Sequence, residues 1–115
     1  MILCSGKVAF DIEAKLEEAG TLKDSIKVVR IEEIAPFPIS CIRDHLKGSH
    51  KAIWVQEESL NQGAFQFAKL HVDRVLAEMG LAPMAYIGRK SVHSFCTGAS
   101  SDHKKENDKL WKQFE

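Results

Sequence analysis

The chain alternates four times between a short apolar run and a longer segment with helical spacing, and this alternation limits its fold more than any other feature. The apolar runs occupy residues 1–4, 26–31, 52–56 and 85–88. Their length and β-branched content, as in "IKVVRI", are typical of strands that are covered on both faces. The sequence therefore predicts an α/β fold with a mainly parallel sheet and helices on both sides of it.

Two of the predicted helices have apolar residues at three- and four-residue spacing, which places those residues on one face. They are Val8, Ile12, Leu16 and Ala19 in the first helix, and Ala64, Ala68, Val72, Val75 and Met79 in the other. Gly20 and Gly80 follow these stripes, where a helix favours a left-handed residue. A short helix is predicted from Pro38 to about residue 46, an irregular segment over 89–100, and a last helix over 101–114.

Composition excludes several classes of function. Sixteen basic residues balance sixteen acidic ones, so the net charge offers no attraction to nucleic acid. No apolar run approaches the roughly 20 residues that span a membrane. Cys4, Cys41 and Cys96 are odd in number and widely spaced, which argues against a disulfide framework or a zinc site. At 115 residues the chain is long enough for one domain, over residues 1–115. We interpret it as a fragment of a longer protein because "MILCSG" enters an apolar run without a polar lead-in.

Polar residues follow the predicted strands, and parallel strands bring their carboxyl ends to one edge of a sheet. Ser5, Glu32, Glu57, Glu58 and Arg89 are therefore predicted at the edge where α/β proteins usually bind ligands or partners. A catalytic acid–base pair needs a carboxylate with a shifted pKa and a positioned partner, and nothing in the sequence around the two adjacent carboxylates supplies the conditions for either. We expect them to bond nearby backbone amides or, as the second interpretation, to lie at an inter-domain surface.

Two further features of this edge each have two interpretations. Arg89 could hold a carboxylate or phosphate with two hydrogen bonds, or equally could pair with Glu57 or Glu58. The "SLNQGA" turn precedes a helix whose amides could hold an anion, but it lacks both glycine-rich phosphate-binding patterns. Phosphate binding is thus the less favoured interpretation.

The remaining reactive or aromatic residues are best explained by packing. Cys4 in "CSGK" lacks the glycine pattern of a nucleophile elbow and is predicted to be a small buried residue. The five histidines show no metal-ligand spacing, and His71 is predicted to be a packed or rim residue. The possible stacking residues are predicted to pack in the core, and they are Trp54, Phe65, Phe67 and Trp111.

Several stretches together resemble a known family. "LCSGKV", "VVRIEEIAPFP", "WVQEESLNQGAF" and "YIGR", followed by a loop that closes at "TG", are similar to the C-terminal domain of the thiamine-diphosphate-dependent decarboxylating component of 2-oxoglutarate dehydrogenase. The similarity runs in order over residues 2–114. The patterns R-I-E-x-x-x-P-F-P and Q-E-E-x-x-N-x-G-A are specific to that family and the related 2-oxoadipate enzyme. A looser similarity extends to transketolase and pyruvate dehydrogenase.

This resemblance implies a three-layer α/β/α domain like the transketolase C-terminal domain, with a mostly parallel sheet of four to five strands. It places residues 1–4 between 26–31 and 52–56 in the sheet, with 85–88 beyond. The point where strand order reverses then lies between the first and third strands, beside Ser5 and Glu57. An additional edge strand of the family would precede this chain.

The resemblance also implies a role in assembly, with regulation as a second role, and no catalytic residues in this fragment. The parent enzyme would decarboxylate 2-oxoglutarate on thiamine diphosphate with Mg²⁺, both held outside this fragment, and transfer succinyl to lipoyl-lysine of an acyltransferase component. Expected partners are the remaining parent domains and a homodimer partner, with the mitochondrial matrix of a eukaryote or the bacterial cytoplasm as location. The interface or effector candidates are Ser5, Lys7, Glu57, Glu58, Asn61, Gln62 and Arg89.

The chain departs from the family pattern at several positions. Ala35, Ser59 and Phe65 differ from the usual residues, as does the loop around Val92 and His93. Both 2-oxoglutarate and 2-oxoadipate therefore stay open as substrates of the parent, with or without an effector site at this loop. The chain could instead be a stand-alone module that senses a nucleotide or acyl-CoA, or a small enzyme that uses Cys4 or Cys96.

Overall fold

The computed structural model describes residues 1–93 and 100–113, which form a parallel sheet with helices on both faces. The strands are β1 (Ile2–Cys4), β2 (Val28–Arg30), β3 (Ile53–Ser59) and β4 (Ala85–Arg89), in the order β2-β1-β3-β4. All three pairings between neighbouring strands are parallel. Within the described ranges the sheet has these four strands, in the order that the family resemblance implies.

Within residues 1–93 and 100–113, four helices connect or follow the strands. They are α1 (Val8–Ala19), α2 (Ile39–Leu46), α3 (Phe65–Glu78) and α4 (Ser100–Lys112). A 3₁₀ turn over Gly20–Ser25 extends α1. The predicted helices agree with these bounds to within one or two residues, except that the end of the last predicted helix lies outside the described residues.

Alternation along the strands divides the core between the two faces of the sheet. Successive strand residues point to opposite faces, and so the neighbours Leu3 and Cys4 belong to different apolar clusters. The cluster that contains Leu3 and Trp54 packs against α2 and α3. The one that contains Cys4 and Val55 packs against α1, with Trp111 of α4 at its margin. The predicted three-layer α/β/α architecture is confirmed.

The aromatic residues follow the packing prediction with one exception. Trp54 and Phe65 are buried, and Trp111 is partly buried. Phe67 is 42 % exposed, so its prediction as a core residue is wrong. Its position in α3 lies off the stripe formed by Phe65, Ala68 and Val72, which faces the sheet.

Strand β3 is longer than the sequence predicts. Its register with β4 is regular from Ile53 to Val55 and shifts before Ser59 pairs with Arg89. An irregularity of this kind bends a strand without ending it. Glu57 and Glu58 therefore lie within β3, and the prediction that the strand ends at Gln56 is wrong.

The strand order fixes the reversal point of the sheet. The chain passes from β1 to β2 on one side and later returns to β3 on the other side of β1. The carboxyl ends of β1 and β3 thus flank the position where α/β sheets open a crevice. Ser5 follows β1 and Glu57 lies in β3, as the resemblance implies.

We predict that two leucines of α3 differ sharply in their contribution to stability. Leu76 is fully buried, whereas Leu70 is 75 % exposed. Leu76→Ala removes packed atoms and leaves a cavity, so it should cost about 2–5 kcal/mol of unfolding free energy. Leu70→Ala should change it by less than about 0.5 kcal/mol. Urea denaturation followed by circular dichroism measures both, and equal losses would contradict the arrangement of α3.

Candidate functional site

The seven candidate residues all lie at the carboxyl edge of the sheet, but not in one cluster. Each of them follows, ends or lies in the last part of a strand. Ser5 and Lys7 come after β1, Glu57 and Glu58 lie in β3, Asn61 and Gln62 form the turn after β3, and Arg89 ends β4. The topology thus places all seven at this edge, and their bonds decide what they do.

A buried glutamine, Gln56, is the centre of this edge. Its side chain is 2 % exposed. Its Oε1 accepts hydrogen bonds from Trp54 Nε1 at 2.8 Å and from the backbone N of Phe65 at 3.1 Å. Its Nε2 donates to the carbonyls of Ser59 at 3.0 Å and Gln62 at 2.8 Å. One amide group therefore joins the core, the turn after β3 and the first residue of α3.

Gly63 makes room for the Gln56 side chain. Its φ of +68° is a conformation that residues with a Cβ rarely adopt. A Cβ at position 63 would lie 3.0 Å from Gln56 Oε1, inside normal contact distance. Glycine is thus required by the backbone and by the neighbouring amide together.

The first amide of α3 is already bonded within the protein. Gln56 Oε1 accepts from Phe65 N, the residue with which the helix begins. One of the amides that could hold a phosphate in the less favoured interpretation is thus bonded to a neutral side chain.

Tyr86 joins β4 to the end of β3. Its hydroxyl donates to the carbonyl of Arg89 at 2.8 Å and lies 3.4 Å from that of Glu58. Burial raises the pKa of Tyr86 to about 12; the nearby Glu58 carboxylate adds to the rise, while a hydrogen bond with Gln56 and the charge of Arg89 oppose it. Glu58 and Arg89 thus both act on the same hydroxyl.

Asn61 ties the turn after β3 to the segment after β4. Its Nδ2 donates to the carbonyl of Val92 at 2.8 Å, and the backbone N of Val92 donates to its Oδ1 at 3.1 Å. The side-chain amide of Asn61 therefore bonds both the carbonyl and the N–H of Val92, as the backbone of a neighbouring strand would. Two loops at the edge are therefore held at a fixed spacing.

Lys7 connects the start of α1 to the β3 edge. Its Nζ lies 3.1 Å from Asp11 Oδ2 and 3.8 Å from Glu57 Oε2. The hydrogen bond to Asp11 is the main cause of a raised pKa of Lys7, with smaller contributions from the charges of Asp11 and Glu57. All three side chains are substantially exposed, so water screens these contacts.

Ser5 lies apart, on the side of the edge nearest β2. It lines a shallow groove of about 320 Å³ with Gly6, Phe10, Arg30 and Glu32. The Arg30 guanidinium lies 5.1 Å from the centre of the Phe10 ring and 2.6 Å from Glu32 Oε1. These contacts hold the Arg30 side chain in place between Phe10 and Glu32.

Cys4 is a buried thiol of the core. Its Sγ lies 3.9 Å from the carbonyl of Val29, and burial raises its pKa to about 11. At neutral pH the group is therefore the protonated thiol, which is a poor nucleophile. Cys96, the second cysteine considered for a small enzyme, lies outside the described residues.

A groove beside Arg89 includes three residues near the end of the chain that were not candidates from the sequence: Lys109, Leu110 and Gln113. Its volume is about 390 Å³, and it is lined by Gly88, Arg89, Lys90, Val92, Lys109, Leu110 and Gln113. Gln113 Nε2 donates to the carbonyl of Gly88 at 3.0 Å and so holds the residues after α4 against β4. The lining combines the positive charges of Arg89, Lys90 and Lys109 with an apolar surface from Val92 and Leu110.

Metal-binding clusters and membrane-spanning helices are both absent from the part of the chain that the structure describes. Across residues 1–93 and 100–113, no group of three or more His, Cys, Asp or Glu side chains is placed to hold a metal ion. Within the same ranges, no helix combines the length and the apolar character that crossing a bilayer requires.

The comparisons with known proteins agree on one family. The family model described as 2-oxoglutarate dehydrogenase C-terminal matches residues 1–114. The 2-oxoglutarate dehydrogenase E1 component of Shouchella clausii is 34 % identical over 113 residues, which is 96 % of this chain. The corresponding component of Rickettsia felis is 34 % identical over 117 residues, which is 98 % of this chain. The chain spans about 12 % of the length of each of these curated relatives.

We predict that Gly63→Ala is more damaging than Gly80→Ala, although both glycines have positive φ. A Cβ at position 80 meets open space, so only backbone strain of about 1 kcal/mol is expected there. At position 63 the Cβ also displaces the Gln56 amide and weakens buried hydrogen bonds, so the loss should reach at least about 2 kcal/mol. Chemical denaturation gives both values, and equal losses would show that Gln56 can move away.

We predict that the tyrosinate absorbance of the folded chain appears near pH 12. Tyr86 is the single tyrosine, so the signal at about 295 nm belongs to it alone. The unfolded chain releases this proton first, near pH 10, and stability should therefore fall as pH rises from about 10 to 12. Titration in buffer and in concentrated urea compares the two states. Coincident curves would contradict the burial of the Tyr86 hydroxyl.

Proposed function

This chain belongs to the family of 2-oxoglutarate dehydrogenase C-terminal domains, and we propose that it serves as the assembly domain of an E1 component in that family. It is proposed to be a single domain over residues 1–115 of a longer protein. The relatives support this proposal because the chain corresponds to about 12 % of their length.

One observation carries the proposed role. The motif residues that resemble the family most closely hold the edge of the sheet in shape. Gln56 bonds the turn and the helix start, Asn61 bonds Val92, and Gly63 leaves space for Gln56. Because these polar groups are already bonded within the protein, they fix the shape of the surface at this edge. Their bonding supports a role in packing against other domains over a role in catalysis.

The parent protein is proposed to carry out the oxidative decarboxylation of 2-oxoglutarate. Thiamine diphosphate with Mg²⁺ would supply carbanion stabilisation for this chemistry. We propose that other domains of the parent hold this cofactor, because the chain matches the C-terminal domain of the family and corresponds to about 12 % of the length of its relatives. Succinyl would pass to a lipoyl-lysine of the acyltransferase component.

The charged residues at the carboxyl edge are proposed to face the rest of the parent homodimer. Lys7, Glu57 and Glu58 are partly or largely exposed around the fixed turn, and Arg89 ends the adjacent strand. Charges at the rim of an interface steer and orient partners more than they add affinity. In a eukaryote the parent would lie in the mitochondrial matrix, and in a bacterium in the cytoplasm.

A second candidate function rests on the groove beside Arg89. Its volume of about 390 Å³ is in the range of small-ligand sites, and Arg89, Lys90 and Lys109 could hold phosphate groups. These features favour a module that senses a nucleotide or acyl-CoA. Within the family, the parent could also act on 2-oxoadipate in place of 2-oxoglutarate.

We predict that the complete gene product that carries this chain decarboxylates 2-oxoglutarate, and that deletion of these 115 residues lowers the rate at least tenfold. The remaining domains would lose a packing surface and assemble poorly. Ferricyanide reduction that depends on 2-oxoglutarate measures the rate, and the same assay with 2-oxoadipate separates the two substrates. The isolated chain should give no turnover.

Turnover of any 2-oxo acid by the isolated chain, or an undiminished rate after the deletion, would contradict the assembly role. Calorimetric titration of the isolated chain with AMP and with acetyl-CoA is the companion measurement. Saturable micromolar binding, lost in Lys109→Ala and kept in Lys104→Ala, would favour the sensing module. Lys104 is the matched control because it is an exposed lysine of the same helix outside the groove.

A further inference from the structure

Helix α3 has apolar side chains on two faces, only one of which packs on the sheet. The inner face consists of Phe65, Ala68, Val72, Val75 and Leu76, all buried. On the outer face Phe67 is 42 % exposed and Leu70 is 75 % exposed. A helix at the surface of a soluble domain normally has polar residues on its outer face. The outer face of α3 therefore has the character of a surface that is covered.

The exposed residues belong to an ordered aromatic cluster, which we call the outer patch and define as Phe37, Phe67, Leu70 and His71. The Phe37 and His71 rings stack, with centres 4.8 Å apart and planes 12° apart. Phe67 meets both rings edge-on, at 6.3 Å from Phe37 and 4.9 Å from His71. Leu70 lies three residues after Phe67 and so neighbours it on the helix surface. Three rings in mutual contact present a rigid apolar surface.

Charged residues border the outer patch along the same helix. Arg74 lies four residues after Leu70, and its side chain is 82 % exposed. Its Nε is 3.7 Å from Glu78 Oε1, while the other oxygen of Glu78 lies 2.6 Å from Arg43. Aromatic residues and arginine are enriched in protein interfaces, and contiguous exposed apolar surface commonly marks them.

We propose that the outer patch is the surface on which a neighbouring domain of the same parent chain packs. The inference rests on the proposed function, because the relatives contain a much longer chain that could supply this domain. The occupant presents apolar side chains to Phe67 and Leu70 and a carboxylate or carbonyl to Arg74. This surface lies on the α2 and α3 side of the sheet and is separate from the candidate residues of the carboxyl edge.

The size of the outer patch favours a domain of the same chain over a second copy of this one. Its exposed apolar surface comes mainly from two side chains, Phe67 and Leu70, with smaller parts of Phe37 and His71. A stable dimer buries about 800 Å² on each partner, so the outer patch alone is too small to hold two separate molecules together. A covalently linked domain has a millimolar effective concentration, and a small interface is then sufficient.

We predict that Leu70 and Phe67 are protected from solvent in the complete gene product. Hydroxyl-radical labelling followed by mass spectrometry measures the oxidation rate of each side chain. Both rates should fall at least threefold when the complete gene product is compared with the 115-residue chain. Unchanged rates would overturn the inference and leave the proposed assembly role standing. A gene product without further domains would overturn both.

Substitution distinguishes an interface from an internal contact. Leu70→Glu should leave the melting temperature of the 115-residue chain nearly unchanged, because Leu70 is 75 % exposed. In the complete gene product it should increase the rate of proteolytic release of this domain at least threefold. Leu70→Lys should increase the rate of proteolytic release by a similar factor, because a charge of either sign removes an apolar contact. Ala19→Glu adds the same charge to the exposed end of α1 and is the matched control.

Three results would count against the proposed occupant. Equal proteolysis of Leu70→Glu, Ala19→Glu and the unmodified gene product would show that nothing packs on the outer patch. A lower melting temperature of the isolated Leu70→Glu chain, with no added effect in the complete product, would make the patch an internal contact. A 115-residue chain that sediments at twice its 12.9 kDa, and becomes monomeric in Leu70→Glu, would identify a second copy as the occupant.

Discussion

The buried amide of Gln56 determines the shape of the carboxyl edge. Its carbonyl oxygen receives the Trp54 indole from the core and the first amide of α3, while its nitrogen reaches the carbonyls of the turn after β3. A buried amide with fewer partners would be costly, because each unmet group keeps its full desolvation penalty. The turn, the helix start and the position of Asn61 therefore depend on one side chain that is itself almost inaccessible to solvent.

The order of elements could be predicted from the sequence, because apolar periodicity reports local structure directly. The strand order came from the family resemblance, since residue spacing does not say which strands pair. The length of β3 was missed for a physical reason: Glu57 and Glu58 are unusual strand residues, and the irregular register that accommodates them depends on β4. Phe67 was misplaced because both faces of α3 have apolar residues.

The candidate site was predictable in location but not in its bonding. Parallel topology brings the ends of successive strands together, which is why Lys7, Glu57 and Arg89 are found at one edge. The role of Tyr86 depends on a partner distant in sequence, the carbonyl of Glu58, and the role of Gln56 depends on a turn that brings the carbonyl of Gln62 and the amide of Phe65 back to its side chain. The groove that includes Lys109 needs α4 to lie against β4, and nothing in the spacing of residues reveals that contact.

Close packing between Gly88 and Tyr86 restricts how relatives of this chain could diverge. A Cβ at position 88 would overlap the hydroxyl and the ring of Tyr86, and it would lie 3.0 Å from the carbonyl oxygen of Gln56. Loss of the hydroxyl alone would not relieve this overlap, since the ring carbon stays in place. A lineage could therefore accept a larger residue at 88 only after replacing the aromatic residue at 86, so the order of the two substitutions is set by sterics.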